Sequence, residues 1–439
     1  MCNELRFLIA YVSRYFFSLF LFSIFTVSTS FAVGPNNLGP NKFAPNKIIQ
    51  PYFDYTFIAD DNILRARDQL IKNPSSLPPS QFRDELTKNN LSDFSNRFVG
   101  GVLLNKEISR QRFSADLSWA YNKFERFSFM DNDFKRAIGN WDWTLGNRLQ
   151  GNMGVTYQES LMPMLFQPGT KVIRSEQTQF INAVWSIHPR WNLNAEYMRY
   201  TLDTGKNPRA ANLDRTENRF EGGIDYVTPS KNTIGVLFRY IMGDFSRAAS
   251  TDRFTGEPLS SNYDQKEVMA KINWAVTEKS RFIVTGGWVE RTNASLTQRN
   301  FSGFNARGTY TWNPTEKLGV TVNGWRLTSS MQNLTTNFSI NTGVSAIPHW
   351  QITNKIRLEG DFSYETRNFD RFTGFFDNAA LIGTNNTFRN ATFRAVYIPH
   401  PTLQLSASIY HADLKSNAVF GGFNANGVTA NLHYVYGKQ

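Results

Sequence analysis

The sequence predicts an all-β fold: one transmembrane antiparallel β-barrel of about 18 strands, with 16–20 tolerated. Three observations lead there. First, short polar turns recur at intervals of roughly 40 residues. They are Ile108-Ser109-Arg110-Gln111, Leu145-Gly146-Asn147-Arg148, His188-Pro189-Arg190, Thr228-Pro229-Ser230-Lys231, Thr277-Glu278-Lys279-Ser280, Asn313-Pro314-Thr315-Glu316, Pro348-His349-Trp350 and His400-Pro401. Second, the stretches between them alternate polar and apolar residues, with no long apolar run and no helical period. Third, tryptophans gather at the turns, namely Trp143, Trp185, Trp191, Trp274, Trp312 and Trp350. Trp185, Trp274 and Trp312 share the apolar face of their strands, as an interfacial girdle requires.

Composition agrees. Aromatic residues make up 15% of 439 residues, although only 41% are hydrophobic. A barrel needs a thin apolar band and aromatic girdles, not a large aliphatic core. The only cysteine is Cys2, which excludes disulfides and thiolate chemistry from the rest of the chain. Net charge is +11, but the charges are scattered. They read as solvated loops and a polar lumen, and no nucleic-acid partner is expected.

In chain order, residues 1–32 read as a signal peptide. Arg6 and Arg14 flank the apolar run Tyr15 to Val27, which is short for a membrane helix, and Ser30-Phe31-Ala32 places cleavage after Ala32. Residues 33–50, rich in Pro, Asn and Gly, predict a flexible periplasmic leader. The barrel spans 51–436, followed by a tail at 437–439. Its first strand runs from Pro51 to Ala59, and a Pro- and Ser-containing loop follows from Asp60 to Leu91. Later strands show their faces plainly. Phe113, Ala115, Leu117, Trp119 and Tyr121 alternate with Ser114, Asp116, Ser118 and Asn122. Val268, Ala270, Ile272 and Trp274 alternate with Met269, Lys271 and Asn273. One face meets lipid and the other a polar interior. Eight tight turns make nine hairpins, and the longer connections, such as Ser246–Asn262 and Asp370–Thr387, belong to the exterior.

Sites for chemistry are sparse. No phosphate loop, dinucleotide fingerprint or zinc-protease motif occurs, and the five histidines carry no local catalytic signature. The reading is a non-enzyme with no cofactor and no metal. Asp60-Asp61-Asn62 is the densest polar cluster, but three neighbours cannot supply the oxygens calcium needs, so it reads as a loop cap. The alternation assigns Asp116, Asp142, Glu221, Asp225, Glu359 and Asp361 to the lumen as pore-lining acids. It assigns Arg239, Lys271, Arg307, Arg357 and Arg394 as pore-lining bases. Such near-balance gives no anion selectivity, and cross-strand bracing is as good an account as a solute path.

Several patterns resemble a known family. They are Pro51-Tyr52, Asp60-Asp61-Asn62-Ile63-Leu64-Arg65, the run Ile108 to Ser118, Trp141-Asp142-Trp143 and Gly222-Gly223-Ile224-Asp225-Tyr226-Val227-Thr228-Pro229-Ser230. The chain is similar in these to the EpsL-type outer-membrane β-barrel proteins of exopolysaccharide biosynthesis clusters, within a wider β-barrel porin class. The likeness spans most of residues 50–436. It implies export or assembly of exopolysaccharide at the outer membrane, and a barrel of about 18 strands leaves an aqueous channel unless plugged. The expected partners are outer-membrane lipid and lipopolysaccharide around the barrel, with polysaccharide and periplasmic export proteins as hypotheses. A general diffusion porin and a structural or docking barrel are the alternatives.

Overall fold

The computed structural model of the protein describes residues 48–437, apart from 67, 77–80, 89, 163–170, 206–212, 247–249, 252–257, 296, 298–299, 334–335, 370–384 and 418–420. The predicted signal, most of the leader and the Asp370–Thr387 loop, all but its last three residues, lie outside these.

Eighteen strands form the wall. They are β1 Ile49–Asp60, β2 Asp93–Ile108, β3 Gln111–Phe124, β4 Asn132–Leu145, β5 Leu149–Leu161, β6 Ile173–His188, β7 Trp191–Asp203, β8 Arg215–Val227 and β9 Thr233–Phe245. The second half comprises β10 Tyr263–Thr277, β11 Ser280–Asn293, β12 Phe301–Trp312, β13 Leu318–Asn333, β14 Thr336–Gln351, β15 Ile356–Phe369, β16 Asn385–His400, β17 Leu403–Ser416 and β18 Phe423–Val435. Each pairs antiparallel with its chain neighbours, and β1 pairs with β18, so the sheet closes and has no edge. Closure leaves no strand without a neighbour on either side, which is what a strand-built membrane span requires. Among the described residues no helix is long and apolar enough to cross a membrane.

The expected strand count and closure are therefore observed. The first strand starts at Ile49, two residues before the predicted Pro51. Seven of the eight predicted turns join strands. Ser109-Arg110 is a two-residue hairpin turn with Ser109 at φ 57°, closed by Ile108 opposite Gln111. The exception is Pro348-His349-Trp350, which lies inside β14; the connection is four residues further on, at 352–355. Pro348 has no N–H to give, and the β14–β15 ladder accordingly skips from Ala346 to His349.

The outward face carries the apolar band. Leu117, Val155, Trp185, Val236, Phe238 and Val268 are all exposed. Cross-strand aromatic pairs reinforce it, with Phe113 stacked on Trp141 at 5.6 Å and Phe282 on Tyr310 at 4.4 Å. Trp185, Trp191, Trp274, Trp312 and Trp350 stand exposed at the short-turn end, and Trp143 lies flat across Gly151. Such a girdle marks a membrane interface.

On the inner face aromatics also lie on neighbouring glycines. A side chain at Gly101 would meet the Tyr52 ring at 2.3 Å, and one at Gly427 the Tyr410 ring at 2.2 Å. These glycines let the two tyrosines lie against the wall and reach the acids described next.

Candidate functional site: the inner face of the barrel

The register assigns every lumenal candidate to the inner face. Asp116, Asp142, Glu221, Asp225, Arg239, Lys271, Arg307, Arg357, Glu359, Asp361 and Arg394 all share parity with inward partners on adjacent strands. Most are committed to each other or to neighbours. Arg136 Nη1 holds Asp116 at 2.9 Å, and Tyr52 Oη donates to the other Asp116 oxygen at 2.7 Å. Lys271 pairs with Asp225 at 2.8 Å. Glu359 sits between Arg357 at 2.6 Å and Arg394 at 3.5 Å. Asp142 accepts from Asn140 at 2.9 Å. Asp361 is exposed to the lumen, and Arg307 is partly exposed there.

The densest cluster spans β7 to β11. Arg239 bridges Glu221 at 2.8 Å and Glu267 at 2.7 Å, and both Arg239 and Glu267 are buried. Arg219 pairs with Glu196, and Gln265 donates to Glu267. Arg291 Nε reaches Gln265 Oε1 at 2.7 Å while its guanidinium lies 4.0 Å from the Tyr263 ring centroid. The sequence reading missed Glu196, Arg219, Gln265, Glu267 and Arg291. Extending the alternation Met269, Lys271 by two and four residues toward the N-terminus would have found Glu267 and Gln265. Their partners were not accessible that way, because pairing across strands depends on register.

The polar interior also holds an apolar patch. Leu237, Met269 and Val289, on three successive strands, form a buried apolar cluster on the inner face. They lie on the same arc as the ion network, with Met269 Sδ 4.0 Å from Arg239. Long paired side chains cover them and exclude water from both.

The first long connection folds onto the inner wall at the opposite end from the short turns. It contains α1 (Asp68–Lys72) and α2 (Gln81–Thr87). Arg65 is the clasp. Its guanidinium meets both Asp60 oxygens at 2.8 Å, and Tyr410 Oη donates to the same carboxylate. Burial disfavours the charge on Arg65, but the Asp60 carboxylate together with Tyr410 more than offsets it and raises the pKa above the usual arginine value. Asn62 Nδ2 donates to Ala66 O and Asn424 O, at 3.1 and 3.0 Å. Asp61 accepts from Asn426 at 2.7 and 2.8 Å. The Asp60-Asp61-Asn62 cluster thus caps the loop and ties it to β17 and β18. Arg126 carries the contact onward to Glu85 of α2 at 3.1 Å.

The histidines make local contacts. His188 and His400 accept backbone N–H groups within their turns, at 3.2 and 3.3 Å. His349 lies in β14 over Gly319, His411 contacts Asn426, and His433 meets Asp54 at 2.6 Å across the β1–β18 seam. Among the described residues no group of His, Cys, Asp and Glu could hold a metal ion.

The family model Putative beta-barrel porin 2 matches residues 257–435. No curated protein sequence matches the chain. The chain is similar to the outer membrane protein OpdK from Pseudomonas aeruginosa, with 8% identity, 88% of this chain and 99% of that one covered, and a TM-score of 0.46. It is similar to a BenF-like porin from Pseudomonas fluorescens Pf-5, with 9% identity, 88% and 98% coverage, and a TM-score of 0.47. It is similar to OccAB3 from Acinetobacter baumannii, with 9% identity, 88% and 99% coverage, and a TM-score of 0.43. From its own closed sheet, apolar outer band and interfacial girdle, the chain is a porin-like outer-membrane β-barrel.

Proposed function

We propose that the barrel serves exopolysaccharide export or assembly at the outer membrane, as an aqueous passage. The carrying observation is the chemistry of the inner wall. Its charges are largely paired with each other, and hydroxyl, carboxamide and aromatic groups fill the space between. A self-neutralised wall exerts little net field on a solute, while hydroxyls and carboxamides both donate to and accept from sugar hydroxyls. The likeness of residues 50–436 to the EpsL-type proteins supports the same reading. After cleavage near Ala32 the mature protein would sit in the outer membrane among lipid and lipopolysaccharide, with periplasmic export proteins at its short-turn end.

One observation favours the second reading, a general diffusion porin. The first loop is clasped to the inner wall by Arg65 and Asn62, and a loop held there suits small solutes better than a polymer. A deletion strain separates the two. Export predicts polymer trapped in the periplasm, with small-solute permeability nearly unchanged. Slowed uptake of small hydrophilic solutes with normal polymer secretion would instead establish the diffusion porin.

A further inference from the structure

We infer that one neutral row on the inner wall is the track for a sugar chain, and that the polymer it takes is uncharged. The inference rests on the export reading and names the substrate class of the same lumen. Thr309, Asn323, Ser345, Ser363 and Asn390 are direct cross-strand partners on five successive strands, β12 to β16. All face inward. Thr309 Oγ1 donates to Asn323 Oδ1 at 2.9 Å, and Asn323 Nδ2 donates to Ser345 Oγ at 3.1 Å. None is charged, whereas the corresponding row on β7 to β10 reads Glu196, Glu221, Arg239, Glu267.

The row also climbs. Paired residues run across strands that tilt against the barrel axis, so the row crosses the wall obliquely. Thr309 is three residues from the short-turn end of its strand at Trp312, and Asn390 is ten from His400. The row continues into Ala412 and Ala425, both buried beside the strand ends where Asn62 of the first loop docks. It therefore leads from the short-turn end to the clasped loop.

An aromatic platform flanks it. Trp325 shares parity with inward Asn323, whereas the other nine tryptophans have outward parity. Its ring lies flat over Gly343, where an added side chain would meet it at 2.4 Å. Its Nε1 donates to Glu365 at 2.8 Å, and Glu365 also holds Arg367 at 2.5 Å. The ring is thereby fixed against the wall with one face toward the lumen. A flat indole packs against the C–H face of a sugar ring, while the adjacent hydroxyls and carboxamide take its hydroxyl groups. A hydroxyl exchanges one such partner for the next without losing hydrogen bonds, which permits sliding. Within the row a carboxylate on the sugar would meet no cation, the nearest inward-facing one being Arg307 opposite Trp325 at its flank.

The test uses the full protein in planar lipid bilayers with two probes, a short neutral glucan oligomer and an oligogalacturonate of equal length. The neutral oligomer should interrupt the ion current at a concentration about tenfold below the acidic one. Trp325→Leu, and separately Asn323→Ala with Ser345→Ala, should each raise that concentration about tenfold. Equal or stronger interruption by the acidic oligomer, or wild-type interruption in both variants, overturns the track. If the barrel passes no current, the readout becomes secretion by a deletion strain carrying each variant at wild-type abundance. Polymer export should then fall about tenfold, and unchanged export overturns the track. Export lost on deletion but full in both variants refutes the track alone. Export retained on deletion refutes the export reading and, where no current flows, the track with it.

Discussion

Replacing Arg239 with Leu should destabilise the barrel by about 3–5 kcal/mol, the cost of leaving a buried acid without its partner. Arg239 stands between Glu221 and Glu267, at 2.8 and 2.7 Å, and Glu267 is 2% exposed. The guanidinium also covers the Leu237–Met269–Val289 cluster, so the substitution opens both polar and apolar contacts to rearrangement. Removing the buried acid as well should recover much of the loss, because the double variant Arg239→Leu with Glu267→Leu leaves only the more exposed Glu221 without its partner. Arg357→Ala should cost about 1 kcal/mol or less, because that pair is partly open to water, with side chains at 35% and 26%. Urea unfolding of the barrel refolded into lipid vesicles gives these differences. A loss at Arg239 no larger than at Arg357 would mean that the β7–β11 network does not brace the wall.

Arginine at Val155 should cost about 2–4 kcal/mol, and arginine at the next residue, Thr156, far less. Val155 lies outward at mid-strand in β5 and is 39% exposed, opposite Gln179 and Gly139. In the membrane that exposed surface meets hydrocarbon. Thr156 points the other way, toward a lumen where a long cation can reach water and the acids of the wall. The same unfolding measurement on both variants gives the asymmetry directly. Equal cost would place the β5 register one residue out, because a shift by one exchanges the faces of the whole strand.

The fold was legible because a barrel writes a period of two into every strand and a turn at every second strand end. The alternation from Phe113 to Asn122 already separated lipid face from lumen, and the structure keeps that parity through β3. The one misplaced turn is instructive. Pro348-His349-Trp350 looks like a chain breaker, but a proline is tolerated where the ladder asks it for no N–H. What alternation could not supply was partnership. It assigned Arg239 and Glu221 to the lumen, but the buried bridge to Glu267 depends on how β9 lies against β10. Alternation therefore left bracing and a solute path as equal accounts of the charged residues, while the neutral row from Thr309 to Asn390 went unnoticed because serine, threonine and asparagine draw no attention in sequence. The docking of the first loop was likewise invisible. It turns on Asp60 meeting Tyr410, 350 residues away, which no local pattern carries.

The central claim is that one face of each strand meets lipid and the other a water-filled, polar lumen. Adjacent residues in β14 test it most directly. Ser345 faces inward within the neutral row, and Val344 faces outward and is 47% exposed. The chain's only cysteine is Cys2, inside the predicted signal, so introduced thiols can be read against a low background. Outer-membrane vesicles carrying Ser345→Cys or Val344→Cys would be treated with a charged, water-soluble maleimide. The thiol at 345 should be modified readily and the thiol at 344 should resist until the membrane is dissolved. Labelling of both alike, or of 344 in preference to 345, would contradict the account.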